Sequence, residues 1–276
     1  MTPRFRERGI ELKTRDQLAA MRQAGLVVGE TLELLAAAVA PGVTTGELDA
    51  LAEANIRACG AVPSFLGYHG FPASICTSVN AAVVHGIPGD LVLHEGDVIS
   101  IDCGAIVDGW HGDAAVTVPV GDVSDQLSEL LDVCEQALWH GLAAARLGGR
   151  LSDISAAVEA AIRSRGEYGI VEDYVGHGIG SAMHQPPAVP NHGRPGRGPR
   201  LVEGMALAVE PMVIAGDKGT RVLTDEWTVV SSDGAPAAHF EHTVTCTEKG
   251  PWVLTALDGG AGKLAELSAV AAARVG

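Results

Sequence analysis

Asp102 and Asp113 stand eleven residues apart in the stretch VISIDCGAIVDGWHGDAAVTV, among Val, Ile, Ala and Cys that otherwise read as two buried strands. A buried carboxylate is costly unless something pairs with it. Two on one face can share a proton, accept from an arginine or hold a metal ion, and no arginine lies near them in sequence. Three more groups stand in equally odd settings. His177 lies in GHGIG, where flanking glycines allow close approach to a ligand; Glu210 lies in MALAVEPMVI and Glu241 in HFEHTVTC. Singly, each has an ordinary structural reading as a turn, an ion pair or a satisfied histidine. Together, one imidazole and four carboxylates form a hard, oxygen-rich set suited to divalent first-row metals, and four negative charges balance two dications. Two such ions roughly 3.5 to 4 Å apart hold a bridging hydroxide at neutral pH and polarise a carbonyl. That is the chemistry of amide hydrolysis.

The elements that must position these groups are legible locally. Asp108-Gly109 between two β-rich runs is a two-residue hairpin signal. With those two as the turn, Val107 pairs with Trp110, Gly104 with Asp113 and Asp102 with Ala115. Asp102 and Asp113 then share a face as diagonal neighbours about 7 to 8 Å apart between Cα atoms, provided that no bulge intervenes. Helices are expected from about Arg15 to Ala40 and Thr45 to Cys59, on capping boxes Thr14/Gln17 and Thr44/Glu47, with Pro41-Gly42 and Gly60 as stops. Short strands follow. The order then recurs, with helices about Asp125 to Leu147 and Ser152 to Ser164, and strands around Gly169 to Val175, Met205 to Ala215, Glu226 to Ser231 and Ala238 to Thr247. Gln185 to Pro199 reads as an irregular loop. Two helix-pair-then-sheet halves, roughly 110 residues apart, suggest a duplicated α+β architecture with a cleft where they meet. The expected organisation is a short arm over 1–14 and one catalytic domain over 15–276, its pseudo-halves covering about 15–120 and 121–255.

Composition narrows the classes. The 276 residues are 47% hydrophobic and 19% charged, an ordinary globular balance with room for a sizeable core. Net charge −15 argues against a nucleic-acid or anionic-membrane surface, and the basic run at Arg194, Arg197 and Arg200 reads as a solvated loop. No apolar stretch reaches the roughly 18 to 20 residues that span a bilayer. Five cysteines without a CxxC pair fit reduced thiols in the cytoplasm, and no local signature supports a Cys/His hydrolase.

The chain resembles type I methionine aminopeptidases from about residue 15 to 255. FLGYHGFPASICTSVN, VVHGIPGD, SIDCGAIVDGWHGDAAVT, GHGIGSAMH, ALAVEPM, DEWTVV and AAHFEHTV stand in that family's order and near its spacings. The resemblance implies a pita-bread fold with a dinuclear site in the cleft. It implies that Asp102 and Asp113 chelate one metal, Asp113 bridging to the other, that His177 and Glu210 complete the second set, and that Glu241 bridges both. Glu210 would also be the proton shuttle, and His85 in VVHGIP and His184 in SAMH the two catalytic histidines. The substrate pocket would be lined by Phe65, Tyr68, Phe71, Cys76, Met183 and Trp227 together with His85 and His184. Phe65 stands where the bacterial pattern commonly has Cys, and Met183 where it commonly has Phe; both keep the pocket apolar. A monovalent cation, sodium or potassium, would sit near Asn80, Ala82 and Ala237.

The implied function is removal of the initiator methionine from nascent chains with a small second residue, in the cytoplasm and as a monomer, with transient ribosome contact, no specific nucleic acid and no membrane. The divalent pair is cobalt, manganese, iron, zinc or nickel, since such sites accept several. A rival is an Xaa-Pro aminopeptidase or prolidase sharing the five ligands, against which stands the short segment before the first helix. A second is a silent binding module, against which stand five intact ligands. His69, His111, His192 and His242 are left as structural or unassigned, with His242 placed to support Glu241.

Overall fold

Capping boxes start the first two helices where expected. Thr14 Oγ1 accepts from the Gln17 amide while the Gln17 side chain accepts from the Thr14 amide, and Thr44 with Glu47 repeats the pattern. In this computed structural model, which describes residues 9–273, α1 is Arg15–Ala38 and α2 Thr45–Ala58. Of the expected N-terminal arm, residues 1–8 lie outside the described residues. The backbone is already extended at Val39, one residue before Ala40, where Pro41 disfavours helical geometry. The second helix pair is α3, Asp125–Ala144, and α4, Leu151–Arg163, and α5, Ala261–Ala273, was not anticipated. No helix among the described residues is long and apolar enough to cross a membrane.

The strands before α3 are β1 Val62–Pro63, β2 Ile75–Val79, β3 Ala82–Val84, β4 Val98–Val107 and β5 Trp110–Pro119. After α4 come β6 Gly169–Ile170, β7 Gly176–Gly178, β8 Gln185–Val189, β9 Ala206–Val209 and β10 Met212–Ile214. The last are β11 Thr220–Val222, β12 Val229–Ser231, β13 Ala237–His239, β14 Glu241–Thr247 and β15 Gly250–Val253. One sheet runs β1-β4-β5-β14-β9-β7-β8, with β2 also on β4 and β15 also on β14; β13-β10-β6 and β11-β12-β3 form two smaller ones.

The hairpin has the expected register, Val107 opposite Trp110, Gly104 opposite Asp113 and Asp102 opposite Ala115. Asp108 and Gly109 have φ of 50° and 80°, the paired positive values of a type I′ turn. Alternation then sorts the large sheet into two faces. Ile99, Ile101 and Cys103 pack with Val28, Leu35, Leu48 and Ile56 of α1 and α2. Leu207, Val209 and Val244 pack with Leu138, Leu142, Ile154 and Val158 of α3 and α4. The alternate positions Ser100, Asp102, Asp113, Thr117 and Glu241 therefore turn away from the helices.

Several expected strands are shorter or broken, each for a local reason. Met205 to Ala215 splits into β9 and β10 because Pro211 cannot donate to a ladder, which leaves Glu210 in the kink. Ala238 to Thr247 splits at Phe240, so that β13 joins a small sheet while β14 stays in the large one. Of Gly169 to Val175 only β6 and its pairing to β10 are regular. Glu226 to Ser231 shortens to β12 because Asp225 closes a turn, its Oδ1 accepting from the Trp227 and Thr228 amides at 2.9 and 2.8 Å. The expected loop from Gln185 contains β8, paired to β7 at the sheet's edge, where its prolines are tolerated.

Helix α1 seats on β5 glycine against glycine. A Cβ on Gly112 would lie 2.7 Å from the Gly25 nitrogen, and one on Gly25 would strike the Leu254 carbonyl. Gly25→Ala and Gly112→Ala should each lower the unfolding free energy by about 1–3 kcal/mol, read from urea midpoints. Gly89→Ala, facing open space, should stay within about 0.5 kcal/mol of the parent. Equal behaviour of all three would mean that this seating is not tight.

Candidate metal centre

Five separate positions in the chain deliver the site. Asp102 comes from β4, Asp113 from β5, His177 from β7, Glu210 from the kink between β9 and β10, and Glu241 from the first position of β14. His177 Nε2 lies 3.9 Å from Asp113 Oδ2 and 3.7 Å from Glu210 Oε1. Donor atoms of Asp113, His177 and Glu241 all lie within 4.8 Å of one another, and so do those of Glu210, His239 and Glu241. Glu241 belongs to both groups. The glycines around His177 also serve the sheet. A Cβ on Gly176 would strike the Ala208 carbonyl of β9, and one on Gly178 the Pro186 carbonyl of β8, so bare backbone lets β7 fit between its neighbours.

The cluster is electrostatically incomplete as a set of protein groups alone. Asp102 Oδ1, Asp113 Oδ1, Glu241 Oε1 and His239 Nε2 are buried without a hydrogen-bond partner, which native interiors rarely allow. Burial pushes the Asp102 carboxyl up to about 7, against a hydrogen bond with Asp113 that lowers it. Glu210 is pushed up to about 8 by burial and by Asp102. Asp113 and Glu241 are raised well above the usual carboxylate range by burial and by their carboxylate neighbours. Burial, then the nearby His184, pushes His177 down to about 3, which keeps it neutral and able to ligate. Orphaned oxygens, crowded carboxylates and a neutral imidazole are a donor set that fits divalent cations.

Asp102, Asp113, His177, Glu210 and Glu241 form the floor of a cavity of about 380 Å³. Phe65, Tyr68, Phe71, Cys76, Met183 and Trp227 line it, with His69, His85 and His184. The structure thus brings together every residue expected in the metal set, the histidine pair and the pocket. Phe71 and Trp227 meet edge to face at 5.1 Å. His184 Nδ1 is 2.8 Å from the Tyr68 hydroxyl, and its ring lies edge-on to His177 at 4.3 Å. His85 has φ 59°, a left-handed backbone that a non-glycine residue seldom holds without cause. Burial, then His184, pushes it down to about 4. Asn80, Ala82 and Ala237 lie outside the cavity lining; the Ala237 amide donates to the Asn80 carbonyl at 2.9 Å, while the Asn80 side chain joins Asp97 and the Val98 amide.

Two histidines read differently in three dimensions. His239, which the sequence reading passed over, is 1% exposed with Nε2 3.8 Å from Glu210 Oε2 and 3.9 Å from Glu241 Oε2. Its signal was the two-residue spacing to Glu241, which tends to keep side chains on one face. His242, expected beside Glu241, faces the helices instead; its Nδ1 is 2.8 Å from Thr255 Oγ1 and its ring packs on Trp139. His69 lines the cavity with φ 49°. His111 pairs through Nδ1 with Ser64 at 3.0 Å.

Residues 19–248 match the model of metallopeptidase family M24. A methionine aminopeptidase of Clostridium acetobutylicum is 53% identical over 247 residues, covering 89% of this chain and 98% of that protein. Methionine aminopeptidase 1 of Mycobacterium tuberculosis is 50% identical over 264 residues, covering 92% and 99%. The crystal structure of methionine aminopeptidase from Thermotoga maritima superposes with a TM-score of 0.88 at 40% identity, covering 90% of this chain and 99% of that one. With a mixed helical and antiparallel architecture and a carboxylate-histidine centre to match, the chain belongs to metallopeptidase family M24 and, within it, to the pita-bread methionine aminopeptidases.

Proposed function

We propose that this protein removes the initiator methionine from nascent chains with a small second residue, by hydrolysis of the first peptide bond. The observation that carries the reading is an apolar cavity with hydrolytic machinery at its floor, Met183 and aromatic rings on one side and four carboxylates with His177 on the other. Asp102, Asp113, His177, Glu210 and Glu241 would hold two divalent ions. The chemistry supplied by such a bound pair is polarisation of the scissile carbonyl and a nucleophile at neutral pH.

The chain's own groups do the rest. A methionine side chain in the pocket meets Phe65, Tyr68, Phe71 and Trp227, and thioether on aromatic ring is a favourable contact. Glu210, a largely buried carboxyl lining the cavity, takes the proton of the attacking water and passes it to the departing amine. With Nδ1 engaged by Tyr68, His184 has Nε2 left to meet the substrate. Neutral His85 and His184 are placed to donate toward charge developing on the carbonyl oxygen. In this reading the ions are cobalt, manganese, iron, zinc or nickel, a sodium or potassium ion lies near Asn80, Ala82 and Ala237, and the enzyme works as a cytoplasmic monomer with transient ribosome contact.

Protein reconstituted with manganese, iron or cobalt should release methionine from Met-Ala-Ser and leave Gly-Pro peptides intact; preference for the Xaa-Pro bond would overturn the assignment. Glu210→Gln should lower kcat by about 10²–10⁴-fold, and His85→Ala by about 10²–10³-fold, with circular dichroism unchanged. Unaltered turnover in either removes the role given to that residue.

Stability should also follow pH in a definite direction. Asp102 and Glu210 have folded values raised to about 7 and 8, so the stability tied to their protonation is present at low pH and is lost as pH rises through those values. The buried histidines act oppositely, losing stability only as pH falls below about 6.5. Between pH 6.5 and 8.5 the carboxylates therefore dominate. Chelator-treated protein should melt at lower temperature at pH 8.5 than at 6.5, and manganese should raise the melting temperature most at 8.5. A flat or rising profile without metal would mean that the carboxylates are not crowded.

A further inference from the structure

Behind the metal-binding carboxylates runs a polar stripe that the proposed reaction leaves unused. Ser100 and Thr117 are cross-strand partners on β4 and β5, on the face that bears Asp102 and Asp113, and their hydroxyls are 2.8 Å apart. Thr117 Oγ1 accepts from the His239 amide at 2.8 Å and donates to the His239 carbonyl at 2.7 Å. One hydroxyl thus clamps the His239 backbone on both sides, while Met212 of β10 pairs with the same residue. The ring is buried, does not line the substrate cavity, and presents an Nε2 without a hydrogen-bond partner to Glu210 and Glu241 at 3.8 and 3.9 Å.

Those separations exceed a hydrogen bond, but hydrogen bonds in catalytic sites are often long before the working complex forms and tighten within it. Carboxylates that bind metals are in turn held by hydrogen-bond donors, and losing such a donor weakens the metal or the reaction. Among the described residues these two carboxylates lie closest to Nε2, Glu210 at 3.8 Å and Glu241 at 3.9 Å.

We infer that His239 is a positioning residue: Nε2–H closes onto Glu210, with Glu241 alongside, and holds the Glu210 carboxylate between its two duties of binding a cation and carrying a proton. The inference rests on the proposed reading of this centre. It assigns no ligand role to His239 and no contact with substrate. The anchored backbone is what makes the ring a support, because Thr117 ties it to the strand that carries Asp113.

The test uses the full-length protein stripped of metal, then titrated with manganese by calorimetry and with cobalt by its visible spectrum, alongside kinetics on Met-Ala-Ser. His239→Ala should weaken the more weakly bound ion by about 10- to 100-fold and lower kcat by a similar factor, with KM nearly unchanged and an altered cobalt spectrum. His239→Gln, whose amide donates from a similar place, should recover both affinity and kcat to within ~5-fold of the parent. Parent-like affinity and kcat in His239→Ala would overturn the inference. So would a glutamine variant as impaired as the alanine one, an outcome that makes the imidazole a direct ligand. If His239→Ala does not fold, Thr117→Val replaces it, with a smaller loss of affinity and kcat expected and no loss overturning. A parent protein inactive on methionyl peptides, with its cobalt spectrum still altered by His239→Ala, would sink the functional reading and leave this inference standing.

Discussion

Mutual repulsion among Asp102, Asp113, Glu210 and Glu241 is the constraint on which this structure depends. Two unit charges 4 Å apart repel by about 4 kcal/mol even at an effective dielectric of 20. A domain's whole stability is only about 5–15 kcal/mol, so four ionised carboxylates cannot coexist here unaided. They must either keep protons, as the raised values of Asp102 and Glu210 express, or share cations. The fold and the cation are therefore linked: the sheet forces the carboxylates together, and bound dications let that packing persist above neutrality.

Holding repelling groups in place needs a stiff frame, and the large sheet supplies one. Its helix-facing positions are filled by branched side chains from α1 to α4, so the backbone of β4 and β5 cannot yield. Thr243 strengthens the join between β5 and β14, donating to the Asp113 carbonyl and accepting from the Asp113 amide. Both glutamates arise where chain passes from one sheet to another, Glu210 before Pro211 and Glu241 after Phe240. A residue inside a regular strand has its direction set by the pleat. Glu241, in register with Ala115, keeps that direction, whereas Glu210, outside any strand at the Pro211 kink, is freer to aim at the same point.

Much of this was legible in the sequence wherever a local rule governs. The Asp108-Gly109 turn alone determined the register that pairs Asp102 with Asp113, since a type I′ turn admits no slip. The capping boxes at Thr14 and Thr44 located the helix starts to the residue. What escaped was set by long-range contact. Nothing local to Gln185–Val189 announces a strand, because β8 exists only by pairing with β7. Helix α5 starts on a different device, Asp258 accepting from the Gly260 and Gly262 amides. The break at Pro211 was readable from the missing amide, yet the apolar run MALAVEPMVI conceals it. His239 and His242 follow alternation and not adjacency to Glu241: a strand neighbour goes to the opposite face, and the residue two away comes to the same one.

The same carboxylates also decide what the cavity cannot do. Cys76 lines it close to histidines, the company that a cysteine nucleophile keeps. But Cys76 sits across from Asp102 on the adjoining strand, and its thiol is raised well above its ordinary value, by burial and then by Asp102 and Asp113. The nucleophile of thiol chemistry is the thiolate, and a thiol held protonated beside two aspartates offers none. The neighbouring histidines give no remedy, because burial pushes His85 and His177 well below neutrality and leaves no imidazolium to stabilise a thiolate. The sulfur thus serves the pocket as a small apolar wall, held as the thiol by burial first and by its aspartate neighbours second.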